Sequence, residues 1–187
     1  MANYTALLDA CVLYPAPLRD LLLSIAVTGL FRARWTDQIH EEWIAALVRE
    51  GRNRSVLERT RRLMDAAVPD CRITGYEGMI ESLNLPDKKD RHVLAAAIIG
   101  GADVTVTLNL SDFPAKALDP YDIEAQHPDD FIVCQLDLSE ELVYGAVKAQ
   151  RARLKNPAYS VDEFLDTLLK QRLPQTVERL RKARHLI

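Results

Sequence analysis

At 187 residues, with 48% hydrophobic content and no Gly/Ser-rich or Pro-rich linker, the chain is long enough to bury a real core and is not a disordered segment. Its net charge of −3 conceals an asymmetry, since residues 1–147 hold 14 Lys/Arg against 23 Asp/Glu, whereas residues 148–187 hold 10 against 4. The longest apolar-rich run, Leu21 to Phe31, is far short of the roughly 20 residues of a membrane span, and MANYT lacks the basic start of a signal peptide, so a cytoplasmic protein with no membrane partner is expected.

Tyr4 to Leu8 reads as a short buried strand that stops at Asp9. Pro17 to Thr28 predicts a helix, with Pro in its first turn and Gly29 at its end, and Leu30 to Trp35 a second strand. Thr36 is an N-cap for a helix whose Ile39, Trp43, Ala46 and Leu47 form one apolar stripe, and Gly51 stops it. Ser55 to Ala67 predicts a third helix, carrying most of a cluster of five Arg and one Glu between Arg52 and Arg62. A short strand at Arg72 to Thr74 and a weak helix precede Pro86. The stretch DKKDRHVLAAAIIGG, from Asp87, then predicts a helix closed by Gly100 and Gly101, followed by the β-branched strand Asp103 to Thr107. Strands alternating with helices argue for an α/β fold with a mainly parallel sheet, in which function sits at the carboxyl ends of the strands.

Beyond Tyr121 the pattern becomes helical: His127 to Leu138, Ser139 to Leu154, Ser160 to Leu173 and Pro174 to His185. The division this suggests is an α/β unit over residues 1–137 and a basic helical extension over 138–187. The cysteines Cys11, Cys71 and Cys134 are odd in number and lack CxxC spacing, which argues against a disulfide framework and against a Cys-based zinc site. The four histidines form no HxxxH or HExxH pair, and GxxxxGK[ST], GxGxxG and GxSxG are all missing, so phosphate-loop, dinucleotide and nucleophile-elbow chemistries have no support.

What remains is acidic. Asp9 follows the first strand, Asn109 and Asp112 follow the strand Asp103 to Thr107, and Asp87 and Asp90 open the helix leading into it. All should approach one edge of the sheet, and Glu42 lies on the polar flank of a helix that can reach the same edge. Singly, each has an innocent role as a turn residue or a complement to a helix dipole. Together, carboxylates about 4 Å apart repel by about 4 kcal/mol per pair at an effective dielectric near 20. No Lys or Arg lies inside the strand-end segments, so Mg²⁺ or Mn²⁺ held by oxygen is the natural counter-charge, and an ion so placed suits phosphodiester hydrolysis.

In order along the chain, LLDACVLYPAPLRDLLL, WTDQIHEEW, DKKDRHVLAAAIIGGADVTVTLN and NLSDFP resemble the PIN-domain nucleases, in particular the VapC-type toxins of bacterial toxin–antitoxin pairs with a helical C-terminal extension. The resemblance implies a three-layer α/β/α sandwich and a Mg²⁺- or Mn²⁺-dependent endoribonuclease with an RNA substrate, a cognate antitoxin and a possible homodimer. It places the family's acidic quartet, catalytic and metal-binding, on Asp9, Glu42, Asp90 and Asp112, with Thr36 as a supporting polar residue. Glu42 is preferred to Glu41 because Trp43 follows it, six residues separate it from Thr36, and relatives show the same pattern.

Two departures stand out. Cys11 occupies a position where relatives carry Asn, Ser or Thr, and Asn109 one where many carry Asp. Asn109 and Asp87 are therefore read as secondary. His92 points about 200° from Asp90 around the helix and reads as structural. Trp43 belongs to the core, and Tyr14, Arg19, Arg52 and Arg54 are the candidates for holding substrate. The main rival is a PIN fold that binds RNA or protein without cutting. A phosphotransferase using Asp9 as nucleophile ranks lower, because Cys11 cannot act as the acid/base two residues on.

Overall fold

The structure, a computed structural model, describes residues 4–187. β1 (Thr5–Leu8) is buried along its whole length, as a strand covered on both faces of a sheet must be. Asp9 ends it and caps a single turn, α1 (Ala10–Leu13), before α2 (Ala16–Ala26), which starts with Pro in its first turn. β2 (Arg32–Arg34) leads into α3 (Asp37–Arg49), where the Thr36 hydroxyl accepts from the Ile39 amide at 3.0 Å. α4 (Arg54–Ala67) follows, capped by Asn53.

The weak helix before Pro86 is a 3-10 turn, Glu77–Ser82, and the acidic stretch begins with another, Lys88–Asp90, that runs into α5 (Arg91–Ile99). Gly101, at φ +59, makes the left-handed turn that carries the chain from α5 towards β3 (Val104–Val106). A short turn, α6 (Ala115–Leu118), precedes β4 (Glu124–Gln126).

The four strands are all parallel in the order β2-β1-β3-β4, with Ala6 opposite both Ala33 and Val104, and Val104 opposite Glu124. The predicted strand at Arg72 to Thr74 is a single parallel bridge, Trp35 to Arg72, on the far side of β2. From β1 the chain winds first to β2 and then back across to β3 and β4. With right-handed crossovers, this covers the two faces of the sheet with helices and opens a crevice between the carboxyl ends of β1 and β3. The result is the expected α/β/α sandwich. β4 went unforeseen because its Glu-Ala-Gln carries no strand signal of its own.

α7 (Pro128–Leu138), α8 (Glu140–Arg153), α9 (Val161–Lys170) and α10 (Pro174–Lys182) complete the chain. They are docked on the sandwich and do not trail from it. Gln150 on α8 donates to the Pro17 carbonyl at 3.1 Å and Arg153 to the Ser24 hydroxyl at 2.8 Å, both on α2. Buried Asp129 of α7 accepts the Gln175 and Thr176 amides at 2.9 and 2.8 Å, capping α10 from a neighbouring helix. Among the described residues no helix is long and apolar enough to cross a membrane.

Candidate active site

The crevice between β1 and β3 is where the acidic residues meet. Asp9 is 6% exposed, and each of its oxygens is engaged. Oδ1 accepts the Ala10 amide at 2.6 Å, while Oδ2 accepts the Thr107 hydroxyl at 2.7 Å and the Cys11 thiol at 3.1 Å. Thr107 stands at the end of β3, so its bond to Asp9 closes the crevice across two strands. Cys11 in turn accepts the Leu108 amide at 3.2 Å. Burial and then the Asp9 charge push the Cys11 thiol up to about 12, which keeps it protonated and able to donate. The weak donor noted at Cys11 is thus supplemented by a stronger one, Thr107, which the sequence reading missed.

Asp90 ends the 3-10 turn before α5, half-buried at the same edge. Burial first, then the charges of Asp9, Asp112 and Asp87, push its carboxyl up to about 6, with the His92 ring working the other way. The shift records that Asp9, Asp90, Asp112 and Asp87 share one neighbourhood. None of these four forms an ion pair with Lys or Arg among the described residues. Asp87 accepts the Lys89 amide at 2.8 Å and so shapes the turn that presents Asp90. Asp112 lies in a 3-10 turn after β3, where the Ser111 hydroxyl donates to it at 3.4 Å, and Asn109 is exposed beside it, its backbone N–H donating to Thr107 Oγ1 at 3.1 Å.

Glu42 stands on α3, tied to the Asp90 helix through His92. His92 Nε2 lies 2.8 Å from Glu42 Oε1, and the ring, 3% exposed, also acts electrostatically on Asp90. Glu41 points instead to α4, where Arg54 holds it at 2.6 Å. The rotation of α3 that separates the two glutamates is fixed by a buried chain. Trp43 Nε1 donates to His40 Nδ1 at 3.0 Å, His40 Nε2 meets Asp65 Oδ1 at 3.0 Å, and Trp35 Nε1 donates to the same oxygen at 2.8 Å. Thr36, fully buried, caps α3.

The residues expected to hold substrate are placed differently from one another. Arg19 is buried: its guanidinium donates to the Leu13 carbonyl at 2.8 Å and lies 5.0 Å over the Trp43 ring. That correction has a plain cause, because a charged group close after Asp9 reads as solvent-facing until a carbonyl and an aromatic face are found to satisfy it. Tyr14 donates to Glu50 at the end of α3. Arg54 is shared between Glu41 and Glu58, and Arg52 is exposed without an acidic partner among the described residues.

An all-oxygen set with excess negative charge and no Lys or Arg to offset it fits Mg²⁺ or Mn²⁺. The carboxylates are neighbours without being gathered into ligand geometry: among the described residues no three His, Cys, Asp or Glu groups stand close enough together to hold a metal ion.

Residues 5–111 match a family model described as PIN domain, and residues 128–182 match one described as VapC50 C-terminal domain. Over 108 residues the chain is 43% identical to a Mycobacterium tuberculosis protein named "Putative ribonuclease VapC50". That alignment covers 58% of this chain and 63% of the relative, so the matched region spans a little under two thirds of the relative's length. No solved structure matches the chain.

Proposed function

Because this chain belongs to the PIN-domain family, we propose that it is a divalent-metal-dependent endoribonuclease, acting as the toxin of a toxin–antitoxin pair. The observation that carries the reading is the acidic set at the β1/β3 crevice, which has no Lys or Arg partner among the described residues and where burial first, then the charges of Asp9, Asp112 and Asp87, push the Asp90 carboxyl up to about 6. The name carried by the Mycobacterium relative supports the same activity.

In this reading Asp9, Glu42, Asp90 and Asp112 hold Mg²⁺ or Mn²⁺. A divalent ion there supplies charge neutralisation at a phosphodiester and activation of water for in-line displacement. The protein's own contribution is positional. Thr107, Cys11 and the Ala10 amide fix both oxygens of Asp9, His92 fixes Glu42, and Asp87 sets the turn that presents Asp90. Asn109 offers an exposed amide beside Asp112, and Arg52 a free cation for backbone phosphate. Residues 1–137 form the nuclease unit and 138–187 its basic helical extension, and an antitoxin protein neutralises the enzyme.

The test is cleavage of a mixed single-stranded and structured RNA pool by the purified protein with Mn²⁺, Mg²⁺ or EDTA, beside Asp90→Asn. Metal-dependent cutting that disappears in the variant is expected. A second reading, a PIN fold that binds RNA or protein without cutting, is favoured by one observation, the lack of a gathered three-ligand group. No cutting with either metal, together with no Mn²⁺ binding in a calorimetric titration, would establish it in place of the first.

A further inference from the structure

One flank of the acidic edge carries a cavity of about 410 Å³ that none of the acidic residues lines. Its floor is apolar, formed by buried Leu83 and Leu94 and half-buried Ala117, and its rim is exposed Asn84, Lys116 and Tyr121. Two features tie it to the site. Leu94 lies one helical turn below Asp90, on the same side of α5, and Pro114 at the rim follows Asp112 by two residues. The cavity therefore shares α5 and the loop after β3 with the acidic edge.

The rim offers polar groups that no other described part of the protein engages. Among the described residues, Lys116 forms no ion pair, and neither the Asn84 amide nor the Tyr121 hydroxyl makes a hydrogen bond. Tyr121 is 40% exposed at this rim. An apolar floor, an aromatic face, one amide with both donor and acceptor, and one cation match an unstacked nucleobase with its phosphate. The base would lie against Tyr121 over the half-buried Ala117, the amide would read a base edge, and the lysine would take the backbone charge. The volume lies within the range of small-ligand pockets and is ample for one nucleoside.

We infer that this cavity, lined by Asn84, Lys116 and Tyr121, is a subsite for a single unpaired base of an RNA strand whose neighbouring phosphate lies at the acidic edge. The inference rests on the ribonuclease reading for its substrate class, but the subsite binds without any cleavage step. That separation makes it testable alone.

The experiment uses the full chain in EDTA with a single-stranded RNA of mixed sequence carrying 4-thiouridine, irradiated and mapped by mass spectrometry, alongside binding by fluorescence anisotropy. Crosslinks are expected within residues 82–84 and 114–121. Tyr121→Ala should weaken binding about tenfold through lost stacking, and Lys116→Ala should weaken it less while lowering the salt dependence by about one phosphate contact. Leu94 is left intact, because its replacement would disturb α5. Crosslinks confined to other surfaces, such as the α4 arginines, or a Tyr121→Ala variant that binds as tightly as the parent, would overturn the subsite. RNA cutting with no dependence on this rim would overturn it and keep the nuclease. Crosslinks here without any metal-dependent cutting would keep the subsite and overturn the nuclease.

Discussion

Asp129 in the helical extension and Asp90 at the edge of the sheet are both withdrawn from solvent, and the chain treats them in opposite ways. Asp129 is 2% exposed, and each of its oxygens receives a backbone amide from the start of α10, where the missing intrahelical partners and the helix dipole favour an anion. Asp90 receives no such donor; it faces three other carboxylates, and its carboxyl is pushed up to about 6. A fold that can satisfy a buried acid with local amides did so at one place and declined at the other. The one left without donors is the one whose charge a bound cation would offset.

The comparison breaks most sharply if Asp90→Asn is silent. The expected loss of RNA cleavage is on the order of 10³-fold, larger than the effect of removing a group that only orients a ligand. Calorimetric Mn²⁺ binding should fall with it, and a variant that keeps both would make Asp90 a mere helix-entry residue. Asp129→Ala should do the reverse. Leaving the Gln175 and Thr176 amides buried and unpaired costs about 3 kcal/mol, or roughly 6–12 °C in Tm, with cleavage per folded molecule unchanged. Thermal melting read beside cleavage checks both halves, and a loss of activity without a loss of stability would contradict the assignment.

A smaller effect tests how Asp9 is held. Thr107→Val removes the 2.7 Å bond across the crevice with little change of shape and should slow cleavage by about 10–100-fold. Thr107→Ser, which keeps the hydroxyl, should recover most of the rate. If Val and Ser behave alike, the hydroxyl does not orient the carboxylate and only the packing at the end of β3 matters.

These residues also mark the limit of what could be read in advance. Elements with strong local signals were legible: β1, the Thr36 cap, the helix closing at Gly100 and Gly101, and β3, and with them the edge to which Asp9, Asp90 and Asp112 belong. β4 was not, because Glu124 to Gln126 is held in the sheet by pairing with β3 and not by its side chains. Contacts between elements were the other blind spot. That His92 on α5 meets Glu42 on α3 depends on how far two helices are rotated, and the Trp43–His40–Asp65 chain that sets one of those rotations joins residues 25 apart in sequence. Arg19 was misread for the same reason: its partners, the Leu13 carbonyl and the Trp43 face, come together only in three dimensions.

The smallest effect is also the most direct reading of the electrostatics. In the metal-free protein the Asp90 carboxyl holds its proton up to about 6, against an ordinary value of 3.8, so between these the native state binds more protons than the unfolded one. The stability this contributes is fully present below the ordinary value and is lost as the pH rises through about 6. Because the carboxyl is only half-buried, solvent screening limits the loss to about 1 kcal/mol, or ~2–4 °C in Tm. EDTA-treated protein melted at pH 4.5 and at pH 7.5 should show that decline, and Asp90→Asn should melt higher than the parent at pH 7.5 while losing most of the slope. Saturating Mn²⁺ should restore the parent at pH 7.5, because a ligand that binds only the folded state stabilises it by mass action. A parent and variant with equal slopes in EDTA would mean that the neighbouring carboxylates do not act on Asp90, and the distinction drawn from Asp129 would fail at its root.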